Sequence, residues 1–171
     1  MTTPTRKALQ DILDKIDSAI EEQGWAYVMT SQSPGSVPFL YTIGLTEMDL
    51  PELVIFGLDQ PTARAIAERA MEKLKQLKRS GHPIQDGLIG DQVIAGSPVV
   101  FREIPWGKAA SYVRVAKARY QRKLEVMQIV LPDANGRFPW EPGCDEQFVS
   151  LQSEAVKYQN NIPPIPKTQK H

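Results

Sequence analysis

Residues 102–123 carry seven cationic side chains, Arg102, Lys108, Arg114, Lys117, Arg119, Arg122 and Lys123, against one acid, Glu103. If Gly107 to Gln121 is helical, Arg114 and Lys117 share a face and Tyr120 lies one turn beyond Lys117. Guanidinium groups beside aromatic rings grip phosphate and flat heterocycles, the chemistry needed to hold a flavin, a nucleotide or a single strand. A pocket built on this segment would be lined by Tyr41, Thr42, Arg114, Arg119, Tyr120 and Trp140. In it the arginines would hold phosphate and the aromatics would cover the ring. The competing explanation is a solvated helix face that complements acid elsewhere in the chain.

A second segment of unusual composition is Asp133-Ala-Asn-Gly-Arg-Phe-Pro-Trp-Glu-Pro-Gly-Cys. Asp133 to Gly136 is turn chemistry, and Phe138, Pro139, Trp140 and Pro142 make a rigid aromatic hook. Such a hook walls a ligand pocket or anchors a partner. Equally, Phe138 and Trp140 pin a loop to the core. Cys144, the one cysteine, would need His82 beside it to act as a nucleophile, and lone cysteines are mostly inert. Asp86, in a loop with Gly87, is a candidate acid or base, though such aspartates mostly make turns. The chain has no Gly-rich phosphate loop, no Gly-x-Ser-x-Gly elbow and no His-Glu-x-x-His. With two histidines and one cysteine no His/Cys metal site assembles, and no metal is expected.

The 171 residues balance 20 Lys+Arg against 20 Asp+Glu, so the net charge is zero. That balance argues against a generic polyanion coater, and nucleic-acid binding ranks last. The zero hides a division. Residues 9–60 hold Asp11, Asp14, Asp17, Glu21, Glu22, Glu47, Asp49, Glu52 and Asp59 against Lys15, while residues 102–123 are strongly basic. Expected partners are a small anionic or phosphate-bearing ligand, a protein docked on a charged face, or a second copy of the chain. No apolar run approaches the roughly 18 residues that span a bilayer, so no membrane partner is expected. The lone cysteine and the charged N-terminal helix in place of an apolar signal core point to a reducing cytoplasm.

Positioning these residues falls to a short list of elements. Thr3 and Pro4 open a helix whose stripe is Leu9, Ile12, Leu13, Ile16 and Ile20, stopped by Gly24. Strands are expected at Trp25–Thr30, Phe39–Leu45 and Leu53–Leu58, joined too closely for crossovers and therefore largely antiparallel. A second helix follows Leu58, with Pro61 in its first turn and a stripe of Ala63, Ile66, Ala70, Leu74 and Leu77. Weaker strands are expected at Gln92–Ala95 and Val99–Ile104, a helix within 105–123, and a strand at Val126–Leu131. One α+β domain over residues 1–156 results, mainly an antiparallel sheet curling toward a split barrel and flanked by two or three helices. Residues 157–171 read as an exposed tail.

Phe39-Leu-Tyr-Thr-Ile-Gly-Leu-Thr, Leu50-Pro-Glu-Leu-Val-Ile-Phe-Gly-Leu, Met127-Gln-Ile-Val-Leu-Pro-Asp and Gly136-Arg-Phe-Pro-Trp-Glu-Pro-Gly together resemble the bacterial domain-of-unknown-function 4262 family. The resemblance covers roughly residues 10–152. It implies a small cytoplasmic bacterial protein and assigns no reaction and no catalytic residue. The order of helix, three close strands, helix and further strands also looks like the split barrels of small flavin-binding proteins. That likeness implies an isoalloxazine and phosphate meeting Tyr41-Thr42 and a basic patch.

Overall fold

The computed structural model describes residues 5–152; the expected tail from residue 157 lies outside the described residues. Helix α1 spans Arg6–Gln23. Its cap is Thr5, whose hydroxyl accepts from the Ala8 N–H at 3.1 Å, whereas Thr3 and Pro4 lie outside the described residues. Gly24 ends the helix as expected, at φ 89, with its N–H on the Ile20 carbonyl at 2.8 Å.

Strands β1 (Ala26–Thr30), β2 (Phe39–Ile43) and β3 (Glu52–Phe56) form an antiparallel block, and every residue of β2 and β3 is buried. Helix α2 (Gln60–Arg79) then leads to a hairpin of β4 (Leu88–Ile94) and β5 (Ser97–Glu103). Residues 105–123 do not make one helix. They divide into α3 (Trp106–Ala109) and α4 (Arg114–Tyr120). The break turns Tyr112 edge-on to both Phe39 and Phe56, at 5.3 and 5.5 Å between ring centres, and it buries Val113. Strand β6 (Val126–Val130) and a short helix, α5 (Glu146–Leu151), complete the elements of the described residues.

The sheet order is β1-β2-β3-β6-β5-β4. It is mainly antiparallel, as expected, with one exception: β6 returns beside β3 in parallel while every other pair is antiparallel. The α+β class holds, and among the described residues the sheet does not close into a barrel: β1 and β4 are its two edge strands. Strand alternation gives the sheet two apolar faces. One carries Leu40, Leu53, Ile55, Met127 and Ile129 under Ala63, Ala67, Ala70 and Leu74 of α2. The other carries Phe39, Tyr41, Ile43, Val54 and Val126 under Ile16 of α1, Ala109 of α3 and Ala116 of α4. Five helices thus divide the work that two or three were expected to do.

At Gly90 β4 leaves no room for a side chain against β5. A methyl group there would lie 2.7 Å from the ring of fully buried Phe101. Gly90→Ala should therefore cost about 1–3 kcal/mol, the usual range for forcing an extra carbon into a packed core, with the urea slope unchanged. Equilibrium urea unfolding measures it.

Candidate functional site

The second face of the sheet is covered by the basic segment, and the geometry there starts from a buried acid. Glu52, the first residue of β3, is fully buried. Its carboxylate accepts from the Thr42 hydroxyl at 2.7 Å, the Thr46 hydroxyl at 2.6 Å, and the backbone N–H groups of Gly44, Leu45 and Thr46 at 3.3, 3.3 and 2.8 Å. Burial pushes its pKa up and these donors pull it back, burial being the larger effect. Apart from Thr42 of β2, the donors belong to a 3-10 turn, Leu45–Met48, and to Gly44, which enters it at φ 116. Lys78 of α2 holds the exit of the turn through the carbonyls of Met48 and Asp49, at 3.2 and 2.8 Å.

The turn presents Glu47 to α4. Glu47 accepts from Arg119 Nη2 at 2.7 Å and from the Tyr120 hydroxyl at 3.3 Å. Arg119 Nη1 reaches Asp17 of α1, and its guanidinium lies 5.5 Å from the centre of the Tyr120 ring. Burial and the charges of Glu52 and Glu47 push the Tyr120 phenol up to about 12. Two acids of the front half, Asp17 and Glu47, thus meet one cation of the basic middle, Arg119. Arg119 and Tyr120 are committed to that pairing.

The other expected site residues are spread further. Tyr41 is buried; its hydroxyl accepts from the Val115 N–H at 3.0 Å, and burial pushes its pKa up to about 12. Thr42 is committed to Glu52 and also accepts from the Leu53 N–H at 2.9 Å. Being neighbours in β2, Tyr41 and Thr42 send their side chains to opposite faces of the sheet. Trp140 stacks on Phe138 at 5.1 Å, and Phe138 is buried against Val100 and Val130. The hook is therefore a loop pinned to the core. Of the six residues Arg114 lines the basic cleft; Tyr41, Thr42, Arg119, Tyr120 and Trp140 are not in its wall.

That cleft has a volume of about 500 Å³ and is lined by Trp106, Arg114, Lys117, Ala118, Gln121, Arg122 and Lys123. It lies within the size range of small-molecule sites. Arg114, Lys117, Arg122 and Lys123 have no ion pair among the described residues, and no acid lines the cleft. A larger cleft, about 1240 Å³, runs along β4 past His82, Asp86 and Asp91. Several of its polar groups are already engaged: Asp91 with Lys73, Asp86 with Arg102, Arg69 with the Val93 carbonyl, and His82 Nδ1 beside the Pro83 carbonyl.

Two buried polar features escaped the residue-type reading besides Glu52. Arg102 of β5 is fully buried with its Nε on Asp86 at 2.9 Å, so Asp86 serves as an ion-pair partner. Gln128 of β6, its neighbour in register, is fully buried, and neither Nε2 nor Oε1 has a hydrogen-bond partner among the described residues. The available signal was a polar residue inside an apolar run: Arg102 after Val-Val-Phe, Gln128 between Met127 and Ile129. Cys144 is a poor nucleophile, since burial and the charges of Asp133, Asp145 and Glu141 push its thiol up to about 11. No cluster of three or more metal-ligating side chains occurs among the described residues.

The family model described as "Domain of unknown function (DUF4262)" matches residues 19–145. The chain belongs to this family. The match runs from the last turn of α1 through every strand to the end of the hook, so the DUF4262 unit includes the Glu52 nest, the basic cleft and the Phe138–Trp140 stack. No curated protein and no solved structure matches the chain. No helix among the described residues is long and apolar enough to cross a membrane.

The hook yields a pH prediction. Asp133 accepts from the N–H groups of Asn135, Arg137 and Asp145, which hold its carboxyl below the ordinary value of 3.8. A depressed folded-state pKa contributes stability that is present above 3.8 and is lost as pH falls through the lower folded value. The indole resonance of Trp140 should therefore hold its folded position down to pH 3.8 and move only below it. In Asp133→Asn it should already be displaced at neutral pH, as an NMR titration would show.

Proposed function

We propose that the chain binds a small phosphate-bearing ligand with a flat ring, a nucleotide or a flavin mononucleotide, in the cleft under Trp106. One observation carries the reading: four cations that are not ion-paired among the described residues line, together with Trp106, a cleft of about 500 Å³ with no acid in its wall. Arginine and lysine together suit a phosphate group, Arg through paired donors and Lys as a point charge. Trp106 offers the apolar face on which a heterocycle stacks. Arg114 and Lys117 stand one turn apart on α4, while Arg122 and Lys123 arrive from the loop after it. Two elements therefore converge on one anion.

The site binds; it contains no acid, nucleophile or histidine poised for a reaction among the described residues. Any chemistry would come from the ligand itself, as a flavin supplies its own. Of the original set, Arg114 keeps the role of holding phosphate. Tyr41, Thr42, Arg119 and Tyr120 become the supports that fix α4 in place.

The test is a titration of the purified chain with ADP and with flavin mononucleotide, read by tryptophan fluorescence and by calorimetry. At least one should bind, and the double variant Lys117→Glu, Arg122→Glu should lose at least about 100-fold in affinity, or roughly 2.7 kcal/mol. No binding of either at millimolar concentration would overturn the reading. So would binding that the double variant leaves unchanged, or preferential binding of a single-stranded oligonucleotide with a steep salt dependence.

A further inference from the structure

The two open edges of the sheet are built differently. β4 is guarded: its register with β5 shifts between Gly90 and Ile94, Gln92 sits at φ 64, and Asp91 places a charge on the strand. Arg69 of α2 also covers the Val93 carbonyl. β1 has none of these devices. It reads Ala-Tyr-Val-Met-Thr, with no charge, no proline and an unbroken register to β2 over all five residues. An unguarded, regular edge is a template for another strand.

A second observation falls at the same place. Among the described residues Ile12 is the one large apolar side chain left more than a third exposed, at 37%. It lines a groove of about 350 Å³ between α1 and β1 together with Ile16, Ala19, Ala26 and Val28. The apolar groove and the open edge form one continuous surface.

We infer that this surface is the interface between two copies of the chain, with β1 pairing antiparallel to β1 of the second copy about a two-fold axis at Val28. The strand is complementary to itself in that register. Val28 faces its own copy, Ala26 faces Thr30 of the partner subunit, and Tyr27 faces the partner's Met29. Each dimer then holds two aromatic–thioether contacts and opposes no like charges. Tyr27 and Met29 already rest half-buried on the α2 side, ready to be covered. The same axis runs the two α1 helices antiparallel. The basic first turn, Arg6 and Lys7, then lies toward the acidic second half of the other helix, where Glu21 and Glu22 are exposed. This charge match favours a second copy over an unrelated strand.

Light scattering on the eluting full chain should give a dimer at about 100 micromolar, a concentration that saturates an interface of ordinary affinity. Met29→Lys, which sets two lysines against the tyrosines, should give a folded monomer. In a Cys144→Ser background, Val28→Cys should form a disulfide-linked dimer in air, because facing residues of an antiparallel pair have Cα atoms within disulfide reach. Thr30→Cys, which faces Ala26, should not. A monomeric wild type, or cross-linking of Thr30→Cys as fast as Val28→Cys, would overturn the inference. If Met29→Lys fails to fold, the cysteine pair decides alone.

Discussion

The carboxylate of Glu52 is the contact on which the candidate site depends. A buried carboxylate is costly unless its oxygens are occupied, and five donors from Thr42, Gly44, Leu45 and Thr46 occupy these. Three of the donors, the Thr42 hydroxyl and the Gly44 and Leu45 N–H groups, are buried, and the carboxylate satisfies each of them. Acid and turn therefore require each other. Leaving one such buried donor without a partner costs about 1–3 kcal/mol, so the turn has little freedom to adopt another shape.

From this turn the order passes outward. Glu47 stands on it and receives Arg119 and Tyr120; Arg119 also reaches Asp17, tying α4 to α1. Tyr41, on the facing sheet, holds the start of α4 through the Val115 N–H. A helix of seven residues has little stability of its own, and these ties supply what propensity does not. The outer side of α4 is thereby left to Arg114 and Lys117. Among the described residues the cations of the cleft have no ion pair, whereas Arg119 takes both Asp17 and Glu47.

Much of the fold was legible where one period dominated. α1, α2 and the strands β1 to β3 follow from apolar stripes and runs bounded by Gly and Pro. The parallel return of β6 beside β3 was not legible, since nothing local in Val-Met-Gln-Ile-Val distinguishes a middle strand from an edge. The divided helix over 105–123 was hidden because Ala109, Ala110, Val113 and Ala116 fit one helix as well as two; the preference of Tyr112 for the Phe39–Phe56 pair decides it. For the site, charge counting found the right segment but not the right members. Arg119 and Arg114 look alike in a list of cations, and only distance to Asp17 and Glu47 separates a structural arginine from one open to a ligand. Glu52 was counted as one more acid of the front half, though its place at the head of an apolar run set it apart.

Amide hydrogen exchange in Glu52→Gln tests the dependence most directly. The substitution keeps the shape of the side chain but turns one acceptor into a donor facing donors. Exchange at Gly44–Thr46 and at the amides of α4 should quicken by at least about tenfold, or roughly 1.4 kcal/mol of local opening, while α2 and the β5–β6 pair keep their protection. Faster exchange confined to the turn, with α4 unchanged, would contradict the account.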